Sequence, residues 1–199
     1  LFGKVVLTVH DVTSFADENE STIISKFIYN LTDIVLTHNA FSKNEIIKVT
    51  SISSSNIYII PHGNYTPFIS IQNDKYNSKE KLNLPKDKTI LLFFGMIKKV
   101  KGLEILLEAF KKVVDTNSDI VLLIAGKPWE DDFDEYQKII DRNNLSKHII
   151  LHAKFIPHED VEHYYCASDL VVLPYKKIYQ SGVLMMTLSY ERPAIVSNL

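Results

Sequence analysis

Two short stretches hold the residue types best suited to chemistry. In the first, Leu91-Leu92-Phe93-Phe94 runs into Gly95-Met96-Ile97-Lys98-Lys99-Val100-Lys101-Gly102. Apolar residues then fall at Leu103, Leu106, Phe110, Val113 and Val114, which is helical spacing. The pattern is a buried-type strand, a glycine turn, a basic loop and a helix start. Glycine lets a ligand approach the backbone closely. A helix start offers free amides and a partial positive charge. Lys98 and Lys101 add full charges, and the whole suits a diphosphate. On pattern alone, a plain strand–turn–helix crossover with solvated lysines reads equally well. The second stretch is Tyr179-Gln180-Ser181-Gly182-Val183. Ser181 can cap a helix that begins at Gly182. Paired with the first stretch, that helix start could hold the same diphosphate.

The histidines give a third set of candidates. His10 follows a β-rich run and precedes Asp11. An imidazole at a strand end can bond a sugar hydroxyl or move a proton. The competing reading ties it locally to Asp11. His62 sits in a Pro61-His62-Gly63 turn and reads as structural. His38, His152, His158 and His163 have no ligand spacing with one another or with Cys166, so no metal site is expected. Neither a Gly-x-Ser-x-Gly elbow nor a Walker-type loop is present.

These residues need elements to position them. The 199 residues are 46% hydrophobic and 23% charged, with net charge -2, an ordinary globular composition. That balance gives no support for a nucleic-acid partner. No apolar run approaches the ~20 residues of a membrane span. The lone Cys166 points to a reducing compartment. Strands are expected at 4–9, 33–36 and 56–60, with helices at 21–30, capped by Ser21, and 41–49. This β-α-β-α-β order favours a parallel sheet. Residues 64–78 lack a clean period and read as a linker. A second series follows: helix 78–84, strand 89–94, helix 103–114, strand 120–125, helix 132–143, strand 148–152, helix 159–167, strand 170–173, helix 182–190 and strand 194–196. The candidate residues His10, His62-Gly63, Gly95, Gly126-Lys127 and Ser181-Gly182 all follow strands. Ligands bind at that edge in such folds.

In order and spacing, the chain resembles the GT-B-fold glycosyltransferases of the large retaining group called family 4, or group 1. The likeness runs from Val5 to Val196. Val6-Leu7-Thr8-Val9-His10-Asp11 is similar to the strand ending in the family's active-site histidine. Asp33 through His38, with Ser42-Lys43, resembles the next strand and helix. Ile59 through Gly63 resembles the interdomain turn. Phe94-Gly95 through Lys101-Gly102 resembles the donor-phosphate loop, and Ala125-Gly126 the next strand end. Ala167 through Leu170 and Leu173-Pro174-Tyr175 resemble the approach to the last donor loop, and Arg192 through Val196 the strand that closes it.

The resemblance implies an α/β fold of two Rossmann-like domains of the GT-B type, with parallel sheets flanked by helices. Residues 1–64 would be the C-terminal part of an incomplete acceptor-side domain. Residues 65–199 would be a nucleotide-sugar-binding domain truncated at its C-terminus, and the chain an internal fragment. It further implies metal-independent transfer of a sugar, with retention, from a nucleotide-sugar donor to a carbohydrate or lipid-linked acceptor in polysaccharide or glycoconjugate synthesis. The donor is a substrate, and no cofactor is implied. His10 would be catalytic. Gly95, Met96, Lys98, Lys101, Gly126, Lys127, Gln180, Ser181, Gly182 and Val183 would bind substrate. A cytoplasmic location is expected, at the inner face of the membrane if a preceding segment associates with it peripherally. Two features depart from the family pattern. A pair of glutamates common in the family falls on Ile178 and Met186, and an arginine common after Gly95 is Met96. A non-catalytic sugar-nucleotide-binding protein and a GT-B-fold sugar-nucleotide epimerase remain alternatives.

Overall fold

The computed structural model describes residues 3–12, 26–69, 73–129 and 132–199. The chain divides into two compact units. One comprises Leu1–Gly63 with Ile178–Gly182, the other Asn64–Lys177 with Val183–Leu199. The expected division after residue 64 thus falls one residue earlier, and a short later segment groups with the first unit.

The first unit holds a three-stranded parallel sheet, β1 (Val6–Thr8), β2 (Ile34–Thr37) and β3 (Ile57–Ile59), in that order. β1 and β3 are shorter than expected, and β2 has the expected length but begins one residue later. The register pairs Leu7 with Val35 and Val35 with Ile57. Helix α1 (Ala40–Val49) starts one residue earlier than the apolar pattern suggested. Asn39 sets that start, because its side-chain oxygen accepts from Ser42 N at 2.7 Å. Residues 26–30 are helical, and Ser21 lies outside the described residues. Val9, Val12, Tyr29, Val35, Ile46 and Ile57 form the core, joined by Tyr179.

The second unit holds a five-stranded parallel sheet. Its strands are β4 (Thr89–Phe94), β5 (Ile120–Ala125), β6 (Ile149–His152), β7 (Leu170–Leu173) and β8 (Ala194–Val196). The order β6-β5-β4-β7-β8 is doubly wound. From β4 the chain steps outward to β5 and β6, then returns to the other side of β4 for β7 and β8. β5 is buried along its whole length, as an unbroken apolar run in a two-faced parallel sheet must be.

Helices α3 (Leu103–Val114), α4 (Asp134–Arg142), α5 (His158–Ala167) and α6 (Gly182–Ser189) complete the crossovers. α3 buries Leu103, Leu106, Leu107 and Phe110 against the sheet. The expected helix 78–84 is α2 (Lys75–Lys81), three residues earlier. Asp74 caps it, accepting from Asn77 N at 2.7 Å, and Asn83 ends it with φ of 54°. Part of the expected linker is therefore ordered, including a 3-10 turn at Thr66–Phe68. Among the described residues no helix is long and apolar enough to cross a membrane.

Candidate functional site

The strand order reverses between β4 and β7, so the loops at their carboxyl ends mark the place where doubly wound sheets bind ligands. Both loops belong to the second unit. After β4 the backbone turns at Gly95, with φ of +94°. After β5 it turns at Gly126, with φ of +147°. Pairing continues beyond both glycines. Gly95 N donates to Ala125 O at 2.9 Å, Ile97 N to Lys127 O at 2.9 Å, and Trp129 N to Ile97 O at 2.9 Å. A Cβ on Gly126 would overlap the carbonyl oxygen of Gly95. A 3-10 turn at Lys99–Lys101 then leads to Gly102, with φ of +68°. There a Cβ would overlap the carbonyl oxygen of Pro174, just past β7. Lys176 N also donates to Val100 O at 2.8 Å, which ties the basic loop to the turn after β7.

These bonds occupy several of the loop's backbone donors. The amides of Gly95, Ile97, Lys101 and Gly102 each donate to a protein carbonyl. Those four amides are engaged within the protein, and anion binding at this loop calls on side chains as well. Lys101 is the side chain best placed for it. Its Nζ lies 3.0 Å from the position a Cβ on Gly95 would take, and Val183 Cγ2 lies 3.2 Å from the same point. The loop glycine, the ammonium and the first turn of α6 thus converge. Burial, then the nearby Lys98 charge, lowers the Lys101 pKa to about 8. The face of the Tyr175 ring, 5.7 Å away, offers the ammonium weak compensation.

The other expected residues of this unit have contacts of their own. Lys98 places its Nζ over the Trp129 ring, 4.0 Å from the centroid. Lys99 pairs with Glu135 at 3.4 Å. Met96 is exposed. Lys127 holds the loop through its carbonyl. Trp129 carried no signal in the sequence reading, although it fixes where Lys98 points.

Gln180, Ser181 and Gly182 group with the first unit. Within that unit, Asn39 Nδ2 donates to Tyr179 O at 2.6 Å, and the buried Tyr179 ring packs against Phe41 with centroids 5.8 Å apart. Gln180 Oε1 is buried and has no hydrogen-bond partner among the described residues.

His10 also belongs to the first unit. Its Nδ1 lies 2.9 Å from Nε2 of His38, a residue that sequence spacing had set aside. His38 Nδ1 lies 2.9 Å from the Ile60 carbonyl oxygen. The His10 and His38 rings are tilted by 33° with centroids 4.8 Å apart, and His62 approaches His38 edge-on at 5.5 Å. His62 Nδ1 donates to Gly63 O at 2.6 Å. Both ring nitrogens of His38 and the Nδ1 atoms of His10 and His62 are thus engaged with one another or with carbonyls. Among the described residues no group of three or more His, Cys, Asp or Glu could hold a metal ion.

Comparison with known proteins places this geometry. The lipopolysaccharide 1,2-N-acetylglucosaminetransferase of Salmonella typhimurium is 30% identical over 123 residues, 59% of this chain and 32% of that protein. The GPI3 subunit of the Saccharomyces cerevisiae phosphatidylinositol N-acetylglucosaminyltransferase is 24% identical over 170 residues, 84% of this chain and 36% of that protein. The crystal structure of Anabaena Alr3699/HepE in complex with UDP and glucose superposes with a TM-score of 0.84 at 16% identity, over 98% of this chain and 53% of that one. The chain spans less than half the length of these curated relatives. The family model described as "Glycosyl transferases group 1" matches residues 74–195, which spans β4 to β7, most of β8 and the loops after β4, β5 and β7. The chain belongs to the glycosyl transferases group 1 family.

Proposed function

We propose that this chain is the donor-handling part of a glycosyltransferase that moves a sugar from a nucleotide-sugar donor to a carbohydrate or lipid-linked acceptor. The observation that carries the reading is the Lys101 ammonium beside Gly95 and Val183 at the switch point of the second sheet. A cation held in a partly dehydrated site stabilises the charge that develops on a departing diphosphate. The Anabaena relative, solved with UDP and glucose, supports a nucleoside diphosphate as the group held there. The Salmonella and yeast relatives, named for lipopolysaccharide and phosphatidylinositol acceptors, support a glycolipid or carbohydrate acceptor. Retention of configuration, metal independence and donor-binding roles for Met96, Lys98, Lys127, Gln180, Ser181 and Gly182 belong to the same proposal and rest on the family pattern. His10 meets a hydroxyl of the transferred sugar.

Calorimetry with UDP, UDP-glucose and GDP-mannose tests the reading, followed by assay of transfer or donor hydrolysis. The expected result is binding of at least one nucleotide and turnover of its sugar conjugate. No binding of any of the three at millimolar concentration would sink it. His10→Ala is expected to cut turnover at least tenfold while leaving donor affinity unchanged, because the phosphate-binding lysine is elsewhere. Normal turnover in that variant would remove His10 from the mechanism. Ile178 and Met186, which replace the family's glutamates, favour a second reading as a sugar-nucleotide-binding protein without transfer. Tight nucleotide binding with no turnover would select it.

A further inference from the structure

The first unit holds a hydrogen-bonded chain that settles which nitrogen of His10 can act. The Ile60 carbonyl oxygen can only accept, so His38 Nδ1, 2.9 Å from it, carries a proton. A neutral His38 then presents a lone pair at Nε2. The atom 2.9 Å from that lone pair is His10 Nδ1, which must therefore donate. With its proton on Nδ1, neutral His10 has a bare lone pair at Nε2. We infer that His38 is a positioning residue that locks His10 in the Nδ1–H form and leaves Nε2 as an acceptor for a substrate hydroxyl.

The inference rests on the transferase reading only for the identity of that hydroxyl. It makes neutral His10 an acceptor at Nε2. The arrangement follows the general rule that the hydrogen bond at one ring nitrogen sets the chemistry of the other. The parallel register supplies the geometry. His38 follows β2 directly, and Val9 N donates to Leu36 O at 2.8 Å, which brings the ends of β1 and β2 side by side. Ile60 N donates to Thr37 O at 2.7 Å, which places the Ile60 carbonyl beside His38. Both neighbours of His38 are thus fixed by the sheet. The two rings are held by a bond at each link, so His10 is oriented as well as tautomerised.

Nitrogen-15 NMR of the imidazoles provides the test, because the two tautomers give different shift patterns without any ligand. In the wild-type protein at a pH where the rings are neutral, His10 is expected as Nδ1–H and His38 as Nδ1–H. In His38→Leu, His10 is expected to lose the Nδ1–H pattern and become mainly Nε2–H. His38→Gln carries both a donor and an acceptor on its amide, and is expected to restore Nδ1–H in His10. Wild-type His10 found as Nε2–H would overturn the inference, and so would an unchanged His10 in His38→Leu. Turnover on the sugar nucleotide that the wild type uses gives a second readout. His38→Leu is expected to lower kcat at least tenfold with KM for the donor unchanged, and His38→Gln to recover to within threefold of wild type. A kcat for His38→Leu equal to wild type would also overturn the positioning role. If the NMR pattern holds while the wild type turns over no sugar nucleotide, the transferase reading fails and the assignment of His10 stands.

Discussion

Gly126→Ala is expected to destabilise the protein by about 4 kcal/mol or more and to abolish binding of UDP. Two causes act together. A φ of +147° lies where side-chain-bearing residues rarely go, and forcing one there costs on the order of 1–3 kcal/mol. The new Cβ would also overlap the carbonyl of Gly95. Relief requires the end of β4 to move away from the end of β5. That movement stretches the Gly95–Ala125 and Ile97–Lys127 hydrogen bonds, each worth about 1 kcal/mol. It also shifts the backbone against which the Lys101 ammonium sits, so affinity falls along with stability. Urea unfolding and UDP calorimetry on the same sample measure both. An alanine variant with native stability and native affinity would show that the close approach at Gly126 has no role.

Lys101→Met is expected to act in opposite directions on stability and binding. The folded protein lowers the Lys101 pKa from 10.5 to about 8, chiefly through burial. Keeping that ammonium charged at neutral pH therefore costs on the order of 3 kcal/mol. Between pH of about 8 and 10.5 the unfolded chain binds more protons than the folded one, so wild-type stability rises with pH across that window. Below it the penalty is constant. Methionine removes the charge and keeps a similar stem, so the variant is expected to gain about 1–3 kcal/mol of stability at pH 7. UDP should bind less tightly by about 1.5–3 kcal/mol, the range for a charge-assisted hydrogen bond. In the wild type, UDP affinity should fall as pH rises past about 8, because the free protein then loses the proton that the diphosphate needs. Denaturation at pH 7 with calorimetry at pH 7 and pH 9 decides the matter. A methionine variant that is less stable and still binds UDP normally would contradict both halves.

The sequence disclosed most of the second sheet and the least of what makes the site work. Helix Leu103–Val114 was legible to the residue, because its apolar positions repeat at helical spacing and nothing else competes. Strands Thr89–Phe94 and Ile120–Ala125 were equally plain as short apolar runs bounded by turn residues. Helix Lys75–Lys81 was misplaced by three residues because a side-chain cap at Asp74 outweighs a weak apolar period. The glycines of the loop after β4 could be found by eye, but not the burial of Lys101, since lysine composition alone argues for a solvated residue. His38 was weighed in the sequence only as a metal ligand, and it lies 28 residues from His10. Strand register brings them together, and register is a long-range property that no local spacing reports.

Tyr179 carries a consequence for modularity. The chain passes from one unit to the other after Gly63, again after Lys177, and back after Gly182. A single cut near residue 64 therefore does not yield two self-sufficient halves. A piece beginning at Asn64 would keep the Tyr179 ring but lose Asn39, Phe41 and the rest of the core that buries it. A piece ending at Gly63 would keep the hole that the ring fills. Dissection of this protein, or exchange of one half with a relative, has to carry residues 178–182 along with the first 63.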